Sequence, residues 1–222
     1  MKKFILFFFL SSTFFSFAQK DSLQLGDKYA DDQIYISVTY NQFFSQPTAV
    51  NKSGFSYGLS TGFMKDFILN KEGTLAVALG VGYGYNSFNH KLKVTESSNT
   101  TSFEVDPNVS NEMFTHDLEL PFELRWRSST AKKYNFWRVY LGLKATYNLS
   151  NEFTYQNDVE TFSFKNISAY NKWQYGLTLS AGYDAFNIHA YYGLAPIYKN
   201  ATLTNESIST KILKIGLIFY IL

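Results

Sequence analysis

Apolar and polar positions alternate along most of this chain, in strand-length stretches separated by polar connections. From Trp173 to Asp184, the residues Trp173, Tyr175, Leu177, Leu179, Ala181 and Tyr183 fall on one face. Gln174, Gly176, Thr178, Ser180, Gly182 and Asp184 fall on the other. The stretch from Thr74 to Asn86 repeats the pattern, with Leu75, Val77, Leu79, Val81, Tyr83 and Tyr85 set against alanine, glycine and asparagine. A period of two sorts residues onto the two faces of a strand, whereas a helix would scatter both sets around its circumference. Strands are predicted at 33–44, 54–65, 74–88, 113–127, 136–149, 171–184, 187–199 and 211–222. The connections 45–53, 89–112, 150–170 and 200–210 are mostly longer and polar; 66–73, 128–135 and the turn after Asp184 are shorter. Eight strands with long loops on one side and short turns on the other predict an all-β fold. Its expected form is an eight-stranded antiparallel up-and-down transmembrane β-barrel of the outer-membrane type.

A soluble sandwich or lipocalin-like barrel alternates too, with the apolar face turned inward. Three features favour the membrane. Glycine and other small residues crowd the polar face, as a narrow closed interior requires. Tyrosine and tryptophan gather at strand ends (Tyr83, Tyr85, Trp126, Trp137, Tyr147, Trp173, Tyr183), where interfacial girdles belong. The last predicted strand also runs to the end of the chain, available to close the barrel. Past the N-terminus no stretch is long and apolar enough for a membrane helix.

Residues 1–18 read as a signal peptide. Lys2 and Lys3 precede an apolar run from Phe4 to Phe17, and Ser16-Phe17-Ala18 presents small residues for cleavage between Ala18 and Gln19. Residues 19–32 then form a periplasmic lead segment and 33–222 the barrel. Among 222 residues there is no cysteine, which excludes a lipoprotein anchor, a disulfide framework and thiol chemistry. Aromatic residues make up 19% of the chain, including 22 Phe and 17 Tyr, more than an average soluble core uses. Once Lys2 and Lys3 are removed, lysine and arginine balance the 18 acidic residues, so nucleic acid is not an expected partner. The partners expected instead are outer-membrane lipid and the machinery that assembles barrels.

Parity assigns the charges within strands. Leu118, Leu120, Phe122, Leu124 and Trp126 face lipid, which turns Glu119, Glu123, Arg125 and Arg127 inward. On the next strand Arg138, Tyr140 and Lys144 face inward. Folding this hairpin should bring Glu119 towards Lys144 and Glu123 towards Arg138, with His189, Tyr191 and Lys214 joining the same lumen. Charges in so narrow a barrel must be paired, because an unpaired buried charge is costly. A self-satisfied polar plug is therefore expected rather than an ion path.

Candidate catalytic residues gather at the rim. His90 and His116 flank the long third connection, with Asp117, Ser87 and Ser110 near in sequence, the makings of a Ser-His-acid esterase or a histidine metal pair. Neighbouring strand residues point to opposite faces, so Asp117 cannot orient His116, and no G-x-S-x-G occurs. No catalytic residue, metal, cofactor or small-molecule substrate is expected. The loops at 89–112 and 150–170, rich in Ser, Thr, Asn and acidic residues, read as solvated surface or protein-contact segments.

The strings Asp117-Leu-Glu-Leu-Pro-Phe-Glu-Leu-Arg-Trp-Arg127 and Phe136-Trp-Arg-Val-Tyr-Leu-Gly-Leu-Lys144 resemble the PorT-type outer-membrane β-barrel proteins of Bacteroidetes. So do Trp173 to Tyr183 and the ending Lys211 to Leu222, and the similarity runs through the mature chain. The resemblance implies a small integral outer-membrane protein, exported by its signal peptide and working with other secretion-system proteins. For the founding members it implies a role in type IX protein secretion and the gliding motility linked to it. The competing expectation is a structural or adhesion barrel whose surface loops bind a ligand, followed by a rim lipid-modifying enzyme. The last strand also resembles the signal read by the barrel-assembly machinery, with Lys214, Gly216, Phe219 and Ile221 in its places and Leu222 as one residue beyond.

Overall fold

The structure, a computed structural model, describes residues 32–50, 54–106, 110–128, 137–156, 161–204 and 206–221. The expected signal peptide, its cleavage between Ala18 and Gln19, and the lead segment up to residue 31 lie outside the described residues. The strands are β1 (Gln33–Phe44), β2 (Tyr57–Ile68), β3 (Leu75–His90), β4 (Leu92–Ser97), β5 (Thr100–Val105), β6 (Ser110–Arg127) and β7 (Trp137–Gln156). They continue with β8 (Thr161–Lys165), β9 (Trp173–Tyr183), β10 (Phe186–Gly193), β11 (Thr202–Leu203), β12 (Glu206–Ser207) and β13 (Lys211–Ile221). Eight of them, β1, β2, β3, β6, β7, β9, β10 and β13, pair antiparallel in a ring. The ring closes where β1 meets β13, from Ile34 opposite Ile221 to Phe44 opposite Lys211. The fold is the expected closed eight-stranded barrel, and closure removes the open edges a sheet would otherwise expose.

Gln33 and Ile221 lie at the same end as the short β2–β3, β6–β7 and β9–β10 connections; the long connections gather at the other end. The outer wall is apolar: Ile34, Ile36 and Val38 on β1, Leu141 and Leu143 on β7, and Leu177 and Leu179 on β9 are all exposed. Tyr83, Tyr147 and Trp173 band this wall at the long-loop end, while Trp126, Trp137 and Tyr183 band it at the short-turn end. The inner face of β1 carries Gln33, Tyr35, Ser37, Thr39 and Asn41, all buried. Polar side chains inside and apolar ones outside is the reverse of a soluble barrel, and it is the order a bilayer demands. The interior is tight enough that Gly142 is required: a Cβ there would stand 2.5 Å from the Phe122 carbonyl oxygen and 2.6 Å from Thr178 Oγ1.

Four strands differ most from their expected bounds. β2 begins at Tyr57 and runs on to Ile68, because Asp66 finds cationic partners inside the barrel and extends the strand. β10 ends at Gly193 rather than at 199; Pro196 has no N–H to continue a ladder, and the chain turns over the barrel mouth so that Ile197 and Tyr198 become buried. β6 and β7 extend well beyond the rim, to 18 and 20 residues. Within them the register slips by one between His116 and Asp117, where Leu149 of β7 is the extra residue. The bulge inverts the parity of β7. Below it the even positions Arg138, Tyr140 and Lys144 are buried, and above it the odd positions Asn151, Phe153 and Tyr155.

The long connections are folded, which corrects their reading as solvated loops. β4 pairs with β5, β11 with β12, and β8 adds to the overhang of β7. Together they cap the barrel mouth around an apolar cluster that includes Phe88, Leu92, Met113, Phe153, Ile197 and Tyr198. Ser, Thr and Asn dominate the composition of these segments, yet their few apolar residues alternate with the polar ones. The hairpins therefore bury one face and solvate the other.

Candidate functional site

The lumen is filled at three levels. At the short-turn end, the Asp66 carboxylate accepts from Arg125 Nη1 at 2.6 Å and from Arg127 Nη1 at 2.7 Å, with no exposed side-chain surface on any of the three. Arg125 Nε donates to Glu123 Oε2 at 2.9 Å, and Tyr220 donates to Glu123 Oε1 at 3.2 Å. The Arg125 guanidinium also lies over the Tyr140 ring, 4.7 Å from its centroid.

Higher up, Lys144 Nζ meets Glu119 Oε2 at 2.9 Å, and the Tyr35 hydroxyl donates to the same oxygen at 3.0 Å. His189 is buried beside Ser180, its Nδ1 2.8 Å from the hydroxyl oxygen. The uppermost level is a ladder of amides around a carboxylate: Asn148 donates to Asp117 at 2.7 Å, Asn86 at 3.0 Å and Thr115 at 2.8 Å. Lys214 Nζ donates to the Asn86 amide oxygen at 2.7 Å. Two hollows between the lumen side chains have volumes of about 10 Å³ each, room for a single water.

Glu119, Glu123, Arg125, Arg138, Lys144, His189 and Lys214 all point into this interior. The register sets Glu119 opposite Thr146, two residues from Lys144, and a diagonal contact forms. Glu123 lies opposite Gly142, four residues from Arg138, and takes Arg125 and Tyr220 in place of the expected Arg138. Arg138 stands opposite Arg127, with its guanidinium 6.0 Å from the Tyr220 ring. Asp66 lies outside the strand expected at 54–65, because Lys65-Asp66 reads as the start of a turn. Its signal was parity, since it continues the inward set Gly58, Ser60, Gly62 and Met64.

The rim residues do not come together. His116 faces outward, its Nδ1 hydrogen-bonded to the Tyr83 hydroxyl and its ring 5.3 Å from Tyr85. Asp117 faces the lumen. His90 lies five positions further along β3 than the residue opposite His116, and it points inward. No group of three or more His, Asp or Glu among the described residues is placed to hold a metal.

In the cap, the imidazole of His90 is wedged between Phe43 and Phe153, at 6.3 and 6.0 Å between centroids. Its Nδ1 accepts the Leu92 N–H at 3.3 Å, while its Nε2 is buried without a partner. Burial pushes the His90 imidazole down to about 4, so it is neutral at physiological pH. On the outside of this cap, β8 carries the half-exposed Phe162.

The four residues expected to form an assembly signal divide between the two faces of β13. Lys214 points into the lumen, and Gly216 lies where a Cβ would strike the Val38 carbonyl oxygen. Phe219 packs edge-on against Phe186 at 5.7 Å on the outer wall, and Ile221 is exposed there.

Residues 17–199 match the family model described as outer membrane protein beta-barrel domain. The chain is similar to Ail, the attachment invasion locus protein of Yersinia pestis, whose crystal structure is known. The two share 11% identity over 89% of this chain and 99% of that one, with a TM-score of 0.39. No curated protein matches the chain.

Proposed function

The chain belongs to the outer membrane protein beta-barrel domain family, and from that premise we propose that it is a non-enzymatic, non-conducting scaffold of the outer membrane. Its capped end acts by contacting other proteins. The observation that carries this is the filling of the barrel: three levels of bonded side chains occupy the lumen, and a folded apolar cap covers its mouth. A barrel closed in this way offers no path for solute. What it offers is a rigid surface beyond the membrane, at the end that outer-membrane barrels turn to the cell exterior. The PorT-type resemblance of the strings at 117–127, 136–144, 173–183 and 211–222 supports type IX protein secretion, with its linked gliding, as the process served. Assembly into the membrane goes through the barrel-assembly machinery, with Lys214, Gly216, Phe219 and Ile221 as the signal it reads.

A strain lacking the protein tests the reading. Loss of type IX cargo from the medium together with loss of surface spreading is expected, restored by the intact gene. Normal secretion and spreading would overturn the secretion role. Normal secretion with altered attachment to surfaces would point to the second reading, an adhesion barrel, which the folded cap also suits.

A further inference from the structure

The ring of eight strands has no open edge, but the cap does. β8 pairs along one side with the overhang of β7, from Glu152 opposite Lys165 to Gln156 opposite Thr161. It ends the sheet order, and no strand among the described residues pairs with its other side. Edges exposed in this way are usually blunted by a proline, a bulge or an inward charge. β8, Thr-Phe-Ser-Phe-Lys, is five residues long and ends on a lysine, two further devices that blunt an edge, but it carries no proline or bulge, and Lys165 is paired with Glu152 of β7 at 3.5 Å. Its two faces also differ. Phe162 and Phe164 lie beside Tyr155 and Phe153 on the side of the cap core, while Thr161, Ser163 and Lys165 face outward. Phe164 is half-buried against the core cluster, but Phe162 remains 43% exposed at the end of that apolar row.

We infer that β8 is a strand-addition site: an extended segment of another surface protein pairs along its free edge and covers Phe162. This rests on the reading of the cap as a protein-contact surface. Backbone N–H and C=O groups of the edge supply affinity, and the alternating faces supply selectivity. The incoming strand carries apolar residues beside Phe162 and Phe164 and polar ones beside Thr161 and Ser163. An acidic residue fits beside Lys165, whose side chain is 67% exposed.

Other occupants fit less well. Asp32, where the described chain begins, lies at the short-turn end, away from the cap. A second copy pairing antiparallel through β8 requires a two-fold axis perpendicular to the sheet. Since β7 runs unbroken from the wall into the overhang, that axis lies in the membrane plane and inverts the second barrel. Parallel pairing about an axis along the strand would set the apolar face of one copy against the polar face of the other.

The test uses the full protein in lipid nanodiscs. The probe is a synthetic nine-residue peptide, Glu-Thr-Val-Thr-Val-Thr-Val-Thr-Glu, and its control carries proline in place of the central valine. The strand peptide is expected to slow hydrogen exchange of the outward β8 amides at least about tenfold. Phe162→Lys should weaken its binding by a similar factor while leaving β7–β8 exchange in the free protein unchanged. Ser163→Pro provides a second variant acting on the backbone. Unchanged β8 exchange with the probe overturns the site, as does equal protection by the proline peptide or undiminished binding to both variants. The secretion reading is judged separately by the deletion strain: peptide binding with normal secretion in that strain sinks the function and spares the site. The reverse pair of results sinks the site and spares the function.

Discussion

Asp66 holds the short-turn end of the lumen together, because its two oxygens each take one arginine and neither arginine reaches water. Removing the carboxylate leaves Arg125 with Glu123 and takes from Arg127 its bond to Asp66, both deep in the barrel. Asp66→Ala is expected to cost about 3–5 kcal/mol, the usual penalty for breaking a buried ion pair from one side. Urea titration of the lipid-reconstituted barrel measures it; a loss below about 1 kcal/mol would mean that water or another acid replaces the carboxylate. Glu119 and Lys144 permit a sharper comparison, since both are buried and bonded to each other at 2.9 Å. Lys144→Met alone takes from Glu119 its bonded cation and leaves it the Tyr35 hydroxyl, and adding Glu119→Gln should recover much of the loss. Strict additivity of the two would show that they do not interact. The Glu119–Lys144 neighbourhood was legible from parity and hairpin folding alone. Asp66 was not, since a charged dipeptide in a single sequence looks the same at the end of a strand as in a turn. What decides between them is an arginine pair about sixty positions further along the chain.

The cap is where elements departed most from expectation. Strand periodicity marked the wall because lipid imposes an apolar side chain at every second position. The overhangs meet water on their outer face and one another inside, so their alternation is weaker, and serine and asparagine obscure it. The bulge at Leu149 adds to this by inverting the parity of β7 at the rim, so that no single phase fits the whole strand. Phe153→Ala, which empties a fully packed position in the cap core, is expected to cost about 3–5 kcal/mol. Faster hydrogen exchange should be confined to β4, β5 and β8, with the wall strands unaffected; equal acceleration in the wall would show that cap and barrel are one cooperative unit. Acid should act on the same element through His90. The folded cap holds this imidazole at about 4, against 6.5 when exposed. Between those values the open cap binds a proton that the closed cap does not. Cap stability is therefore full above pH 6.5 and falls as pH drops towards 4, by up to about 1.4 kcal/mol per unit. His90→Phe should abolish that slope; an unchanged slope would assign it to another group.

For the whole molecule, a closed barrel without a single cysteine is held by its ladder of strand pairs and by what fills it. Wall, plug and cap divide the work: the wall satisfies backbone groups against lipid, the plug neutralises the charges that a polar interior brings, and the cap seals the mouth. Plug and cap block passage independently, since the Asp66, Glu119 and Asp117 levels lie below the apolar cluster. In planar bilayers the purified protein is accordingly expected to give no single-channel steps. A variant with β4 and β5 replaced by a short Gly-Ser turn, which opens the mouth, should remain silent as well. Conduction by that variant would mean that the lumen is sealed from above, with the bonded levels merely lining a path. Conduction by the intact protein would go further and make the barrel a pore, taking with it the reading of the capped end as a contact surface. Silence from both leaves the outside of the protein, rather than a path through it, as the place where it acts.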